Sequence, residues 1–226
     1  MWQSERGYLI NSATWSSYLS FVIFLGLAIV ASIPDTGAIE RVGGAEGGLT
    51  LLFPFVAILF FGILSMNFGQ LELEWANQFG KTWSSYYRHL LAQIGFLALL
   101  MLPEWIVYQG AYHLPSSRLL WGGVHLFLYG LTAGLFGMLI GLRTHSEISQ
   151  FNIKYAVFIA FDLLTAIWLQ PLNPFITLFA IFGDAVLNSS DSVWFFLQSY
   201  LGFALLLSVL FWLTRRQISS LEEVLV

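Results

Sequence analysis

Apolar residues in this chain run in long stretches broken by short polar segments, without the strict alternation of a half-buried strand. Six stretches, at about 15–33, 49–66, 88–108, 119–142, 153–170 and 193–214, approach the roughly 20 residues a helix needs to cross a bilayer. A seventh, Pro174–Leu187, is too short to span. It lies between Pro171 and Pro174 on one side and Asn188-Ser189-Ser190-Asp191 on the other. It reads as a re-entrant or surface-lying helix, which is allowed at membrane depth only inside protein or beside water. The pattern predicts an all-α, polytopic membrane protein: a single transmembrane domain over 1–226 with six spans and a re-entrant helix between the fifth and sixth.

The fourth stretch carries glycines at 123, 130, 134, 137 and 141, so their steps of 7, 4, 3 and 4 fall on one helical face. Lipid supplies no hydrophobic force between helices, and small residues are what let them approach closely. Gly123, Gly130, Gly134, Gly137 and Gly141 are therefore the candidate packing face.

Composition removes the soluble alternative. Of 226 residues, 58% are hydrophobic and 10% charged, against about 25% charged in soluble domains. A net charge of −4 without a basic run gives nucleic acid no footprint, and the absence of cysteine excludes disulfides and thiolate sites. Met1–Asn11 is polar and lacks the layout of a cleavable signal. With Trp2, Tyr8, Leu9 and Ile10 among polar neighbours, the first 14 residues read as an interfacial helix or a frayed tail. With the N-terminus inside, Arg6, Lys81, Arg88, Arg143, Lys154, Arg215 and Arg216 lie inside, and only Arg41 and Arg118 lie outside. The positive-inside rule thus puts both termini in the cytoplasm of a cell inner (plasma) membrane protein. Trp15, Trp83, Trp105, Trp121, Trp168, Trp194 and Trp212 sit near span ends and are expected at the interface.

Candidate chemistry is sparse. Gly80-Lys81-Thr82 resembles the end of a phosphate-binding loop, but Trp75 stands where its first glycine belongs and no strand precedes it. The chain is not expected to bind ATP or to be an enzyme. Asn67–His89 reads as the longest cytoplasmic connection, with Leu71, Trp75 and Phe79 at helical spacing beside Glu72 and Glu74. Such a stripe could meet a cytoplasmic partner or rest on headgroups. Asp162 lies mid-span in the fifth stretch, where an ionisable group is costly and by default functional. A structural hydrogen bond to Thr132 or Ser208 is the favoured reading, because His125 and Glu104 are too far toward the outer half to complete a proton relay. The four histidines form no ligand spacing, no nucleophile motif is visible, and no metal or catalytic residue is expected. Pro54, Pro103 and Pro171-Leu172-Asn173-Pro174 are expected to interrupt helices near the outer face, as at a gate.

With these parts placed, the chain resembles the permease subunits of type-2 ABC exporters. Four passages carry the likeness: Glu5–Ser12, similar to the family's interfacial helix; Gly69–Arg88, in place of its ATPase-contacting loop; His125–Ser146, similar to its glycine-containing fourth span; and Leu172-Asn173-Pro174-Phe175, like the start of its outer re-entrant helices. Phe161-Asp162-Leu163-Leu164 with Asn173-Pro174 is similar to permeases of copper-enzyme accessory transporters, and the haem-exporter subunit of cytochrome c maturation is of similar length. Gln70-Leu71-Glu72-Leu73-Glu74 departs from the basic-rich stretch of the family's loop. The resemblance implies a permease that pairs with a second copy or a paralogue in membrane lipid and binds cytoplasmic ATP-binding-cassette ATPases. It implies no cofactor in this chain, with ATP and Mg held by the partner. Leu71, Glu72, Trp75 and Phe79 would dock the ATPase, and Asp162, Asn173, Pro174 and His125 would form the gate or path. Two alternatives stay open: a non-transport membrane scaffold, and a secondary transporter, which would need paired intramembrane charges and an inverted repeat.

Overall fold

A computed structural model describes residues 12–32, 52–79, 83–112, 114–144, 146–182 and 190–224. They form seven α-helices: α1 Ser12–Ser32, α2 Leu52–Phe79, α3 Trp83–Ala111, α4 Ser116–Arg143, α5 Glu147–Trp168, α6 Pro174–Phe182 and α7 Ser190–Val224. A single 3-10 turn, Gln170–Leu172, lies between α5 and α6, and no strand occurs among the described residues. All but α6 are long and apolar enough to cross a membrane, so the chain is a multi-pass membrane protein. The six membrane-crossing helices alternate in direction. The end carrying the α2–α3 and α4–α5 connections is called proximal below, and the end carrying the α3–α4 and α5–α6 connections distal.

The tightest element of the bundle is the α2–α4 pair. A Cβ on Gly137 would overlap the Met66 carbonyl, and one on Gly69 would overlap the Gly134 carbonyl. One turn away, Gly62 receives the Tyr129 ring and Gly130 receives the Phe61 ring. Each helix thus gives up side chains where the other needs room, and the two backbones touch. Gly134 also seats Leu90 and Ile94 of α3. Outside this pair, α1 and α3 close the core through aromatic packing: Tyr18 lies 5.3 Å from Phe68 and 5.0 Å from Phe96, and Phe53 lies 4.9 Å from Tyr108. At the distal end, Ser32 Oγ accepts the Phe53 N–H at 3.0 Å while Tyr112 donates to the Ser32 carbonyl. Those bonds pin the ends of α1, α2 and α3 together.

By contrast, α5 lies at the edge. Its fully buried residues are Gln150, Lys154 and Thr165, all polar, while Ile159, Leu163, Leu164 and Ile167 are exposed. Apolar exposure of that kind is ordinary on a lipid-facing surface, and α5 is held to the bundle by hydrogen bonds at its two ends.

Several sequence expectations change. The Asn67–His89 connection is not a loop: α2 runs to Phe79 and α3 begins at Trp83. Gly69 does not break the helix because it is buried against Gly134, and Asn67 and Gln70 are engaged by α5. Pro103 does not interrupt the third span, since α3 continues through it with Met101 and Trp105 buried on either side. Neighbouring helices allow a proline to persist inside a membrane helix. Pro54 lies in the first turn of α2, where its missing N–H breaks no helical bond. Trp105 is 3% exposed, between Phe53 and Phe182, and is a core residue instead of an interfacial anchor. Gly123 faces open space, and its neighbour Gly122 takes the packed position against Trp105 and Phe182. Gly141 is half-buried at the proximal end. The N-terminal segment, Gly80-Lys81-Thr82, His113, His145 and residues 183–189 lie outside the described residues.

Replacing Gly137 by Ala should force α2 and α4 apart and cost about 1–3 kcal/mol, the usual penalty of overpacking. Gly123→Ala should be neutral. Thermal unfolding of the purified protein in detergent checks both, and equal midpoints for the two variants would contradict the backbone contact.

Candidate functional site

The break after α5 builds the most connected polar structure in the distal half. Leu169 leaves the helix at φ −134 and ψ 55, and Pro171 sits in the 3-10 turn. Asn173 then caps α6: its Oδ1 accepts the Ile176 N–H at 2.9 Å, and Pro174 fills the first helical position. The other half of the same amide reaches back into α5. Asn173 Nδ2 donates to the Asp162 carbonyl at 2.8 Å and to Thr165 Oγ1 at 3.2 Å. One buried asparagine therefore ends one helix, starts the next and joins the two.

Neighbouring helices attach to this turn. His125 of α4 is fully buried and donates through Nε2 to the Pro174 carbonyl at 3.1 Å. Because a carbonyl only accepts, Nε2 carries the proton and Nδ1 is left as an acceptor, buried without a hydrogen-bond partner. Thr177 Oγ1 donates to the Pro171 carbonyl at 3.1 Å, and Ser199 Oγ of α7 donates to Thr177 at 3.3 Å. The four sequence candidates for a gate or path, His125, Asp162, Asn173 and Pro174, thus form one chain of bonds from α4 to α5. Asp162 takes part through its backbone.

Its carboxyl does not have the partners expected for it. Thr132 and Ser208 donate to the carbonyls of Leu128 and Ala204 in their own helices, at 2.8 and 2.7 Å. A hydroxyl four residues past a carbonyl on a membrane helix satisfies itself locally, so neither was free to reach α5. Asp162 Oδ1 is buried without a hydrogen-bond partner among the described residues, as are the Tyr129 hydroxyl and Ser65 Oγ. Tyr129 lies one turn below His125 on α4, and both rings pack edge-on against Phe203 of α7. A cavity of about 180 Å³ opens beside Tyr129, walled by α4, α5 and α7 together with Met66 of α2.

A second polar cluster joins α5 to α2 in the proximal half. Lys154 is 4% exposed, and its Nζ donates to Asn67 Oδ1 at 2.6 Å and Gln70 Oε1 at 3.0 Å. Gln70 donates to Gln150, which donates to the Thr144 carbonyl. The sequence reading treated Lys154 as an inner surface charge and missed this cluster. The signal was present as amides at positions 67 and 70 of one helix and polar groups at 150 and 154 of another, each set on one helical face. Tyr129 was missed because a tyrosine in an apolar span reads as packing.

Of the residues expected to meet a partner, Leu71 is half-buried against the hydrophobic core. Glu72, Trp75 and Phe79 belong to the last two turns of α2. Their side chains lie outside the described residues. No cluster of metal-ligating side chains occurs among the described residues. No protein-family model, curated protein or solved structure matches the chain.

Asn173→Ala should lose the cap and the tie to α5, costing at least the roughly 0.5–2 kcal/mol of an N-cap. Asn173→Asp should fall between wild type and Ala, because it keeps the acceptor for Ile176 and loses the donor to Asp162 and Thr165. Thermal midpoints in detergent give the order; Asp equal to Ala would remove the double role.

Proposed function

We propose that the chain is the membrane-spanning permease subunit of an ATP-driven exporter, coupled to separate cytoplasmic ATP-binding-cassette ATPases. The observation that carries this reading is the length of α2. Its 28 residues extend about 42 Å at 1.5 Å per residue, against a hydrocarbon core of about 30 Å. About two turns, Glu72–Phe79, therefore project beyond the span at the proximal end. The 35-residue α7 is longer still and ends on the same side. In this proposal the proximal end is cytoplasmic, as the distribution of Lys and Arg favours, and both chain termini lie there. The first residues form an interfacial helix, and α6 with the segment after it is re-entrant at the outer face.

ATP and Mg bind in the partner, and a second permease copy or a paralogue completes the path. ATPase closure pulls the projecting end of α2. The α2–α4 pair moves as one body because its backbones touch, while α5 turns about its proximal and distal polar ties.

The docking claim is tested by Trp75→Glu. Purified from its own membranes, the wild-type assembly should retain an ATPase and hydrolyse ATP. The variant should insert with the same yield and lose at least about tenfold of that activity, equivalent to about 1.4 kcal/mol of docking energy. Unchanged activity and an unchanged complex would contradict the reading.

A further inference from the structure

We infer that the groove between α3, α4 and α7 holds an anionic phospholipid, with an acyl chain along the groove and the phosphate at Arg88 and Arg215. The permease proposal gives this face no role, and the inference does not rest on it. The groove has a volume of about 400 Å³, within the roughly 300–1,000 Å³ of ligand-sized sites, and it opens sideways onto the bilayer. Leu90 and Leu91 of α3, Leu131 and Leu135 of α4, and Leu207 and Phe211 of α7 line it.

The groove follows from how α3 and α7 meet. Thr214 Oγ1 donates to the Leu210 carbonyl of its own helix, so Tyr87 donates to Thr214, at 2.8 Å. The Tyr87 and Phe211 rings lie 4.6 Å apart at the same proximal end. Few other contacts join the two helices. Toward the bilayer centre they leave a gap floored by Leu131 and Leu135, which a lipid chain can enter from the side.

Charge at the rim selects the head group. Arg88 lines the groove beside Tyr87, is exposed, and forms no hydrogen bond or ion pair with any described residue. It stands within the first two turns of α3, where a long side chain reaches head-group level. Across the rim, Arg215 follows Ser208 and Phe211 at i, i+3 and i+7, so it continues the face of α7 that lines the groove. The carboxylates of α7, Glu222 and Glu223, come at least about 10 Å further along the helix. Guanidinium groups pair with phosphate oxygens in bidentate fashion, and basic pockets between membrane helices bind anionic head groups. A zwitterionic lipid brings its own cation, which offsets part of that attraction.

The test uses phosphatidylglycerol with a photoactivatable diazirine in mid-chain, as a minor component of phosphatidylcholine vesicles holding the full chain. Mass spectrometry of peptides locates the label. Labelling should concentrate on Leu131, Leu135 and Leu207 relative to the exposed residues Ile159 and Leu163 of α5. The same diazirine on phosphatidylcholine should label the groove at least about fivefold less, the effect of one arginine near the surface. Arg88→Gln with Arg215→Gln should lower phosphatidylglycerol labelling to the phosphatidylcholine level, while Arg88→Lys should keep most of it. Equal labelling of wild type by the two lipids would overturn the site, as would a double variant that keeps the preference. A groove shielded from both lipids by a second copy of the chain would overturn it too. The comparison of lipids uses wild type alone, so it holds even if a substitution disturbs folding.

Discussion

Backbone contact between α2 and α4 is the constraint on which the rest of the fold depends. Inside a bilayer, burying a leucine against another helix gains little over leaving it in lipid, so association rests on close packing and polar bonds. Gly62, Gly69, Gly130 and Gly137 remove the side chains that would hold the two helices apart. Everything else is arranged around that seam. α3 reaches it through Leu90 and Ile94 at Gly134, α1 through Phe21 near Phe61, and α7 through Phe203 beside Tyr129.

The second organising feature is the different way α5 is attached. A helix whose buried residues are Gln150, Lys154 and Thr165 is held by directional bonds at particular places. The proximal tie uses a buried lysine on two amide oxygens, and the distal tie uses an asparagine that also caps the next helix. Between those ties lie Val157, Phe158 and Phe161, which line the aromatic cavity. Such an arrangement lets α5 change its relation to the bundle by exchanging a few hydrogen bonds, while the glycine seam keeps its geometry.

Much of this was legible in the chain itself. Six spans followed from the apolar stretches, and the glycine positions pointed to a packed face because their spacing is helical. The helix break at Pro171–Pro174 was visible because two prolines and an asparagine leave few alternatives. Other features were hidden for physical reasons. Where α2 ends could not be read, because Asn67, Gln70 and Glu72 look like a polar loop until Lys154 is seen to satisfy the first two. Gly122 and Gly123 are neighbours on one helix, and only the position of Trp105 decides which faces inward. Asp162 announced itself as costly, but its lack of a side-chain partner depended on Thr132 and Ser208 bonding within their own helices.

The account divides the chain into a fixed pair and an adjustable edge, and inter-helix distances test that division directly. Spin labels at exposed positions 55 and 121 report α2 against α4, and labels at 55 and 164 report α2 against α5. Pulsed electron-resonance distances in reconstituted bilayers should give one narrow α2–α4 distribution and a broader or multi-peaked α2–α5 distribution. An α2–α4 distribution as broad as that of α2–α5 would contradict the central claim.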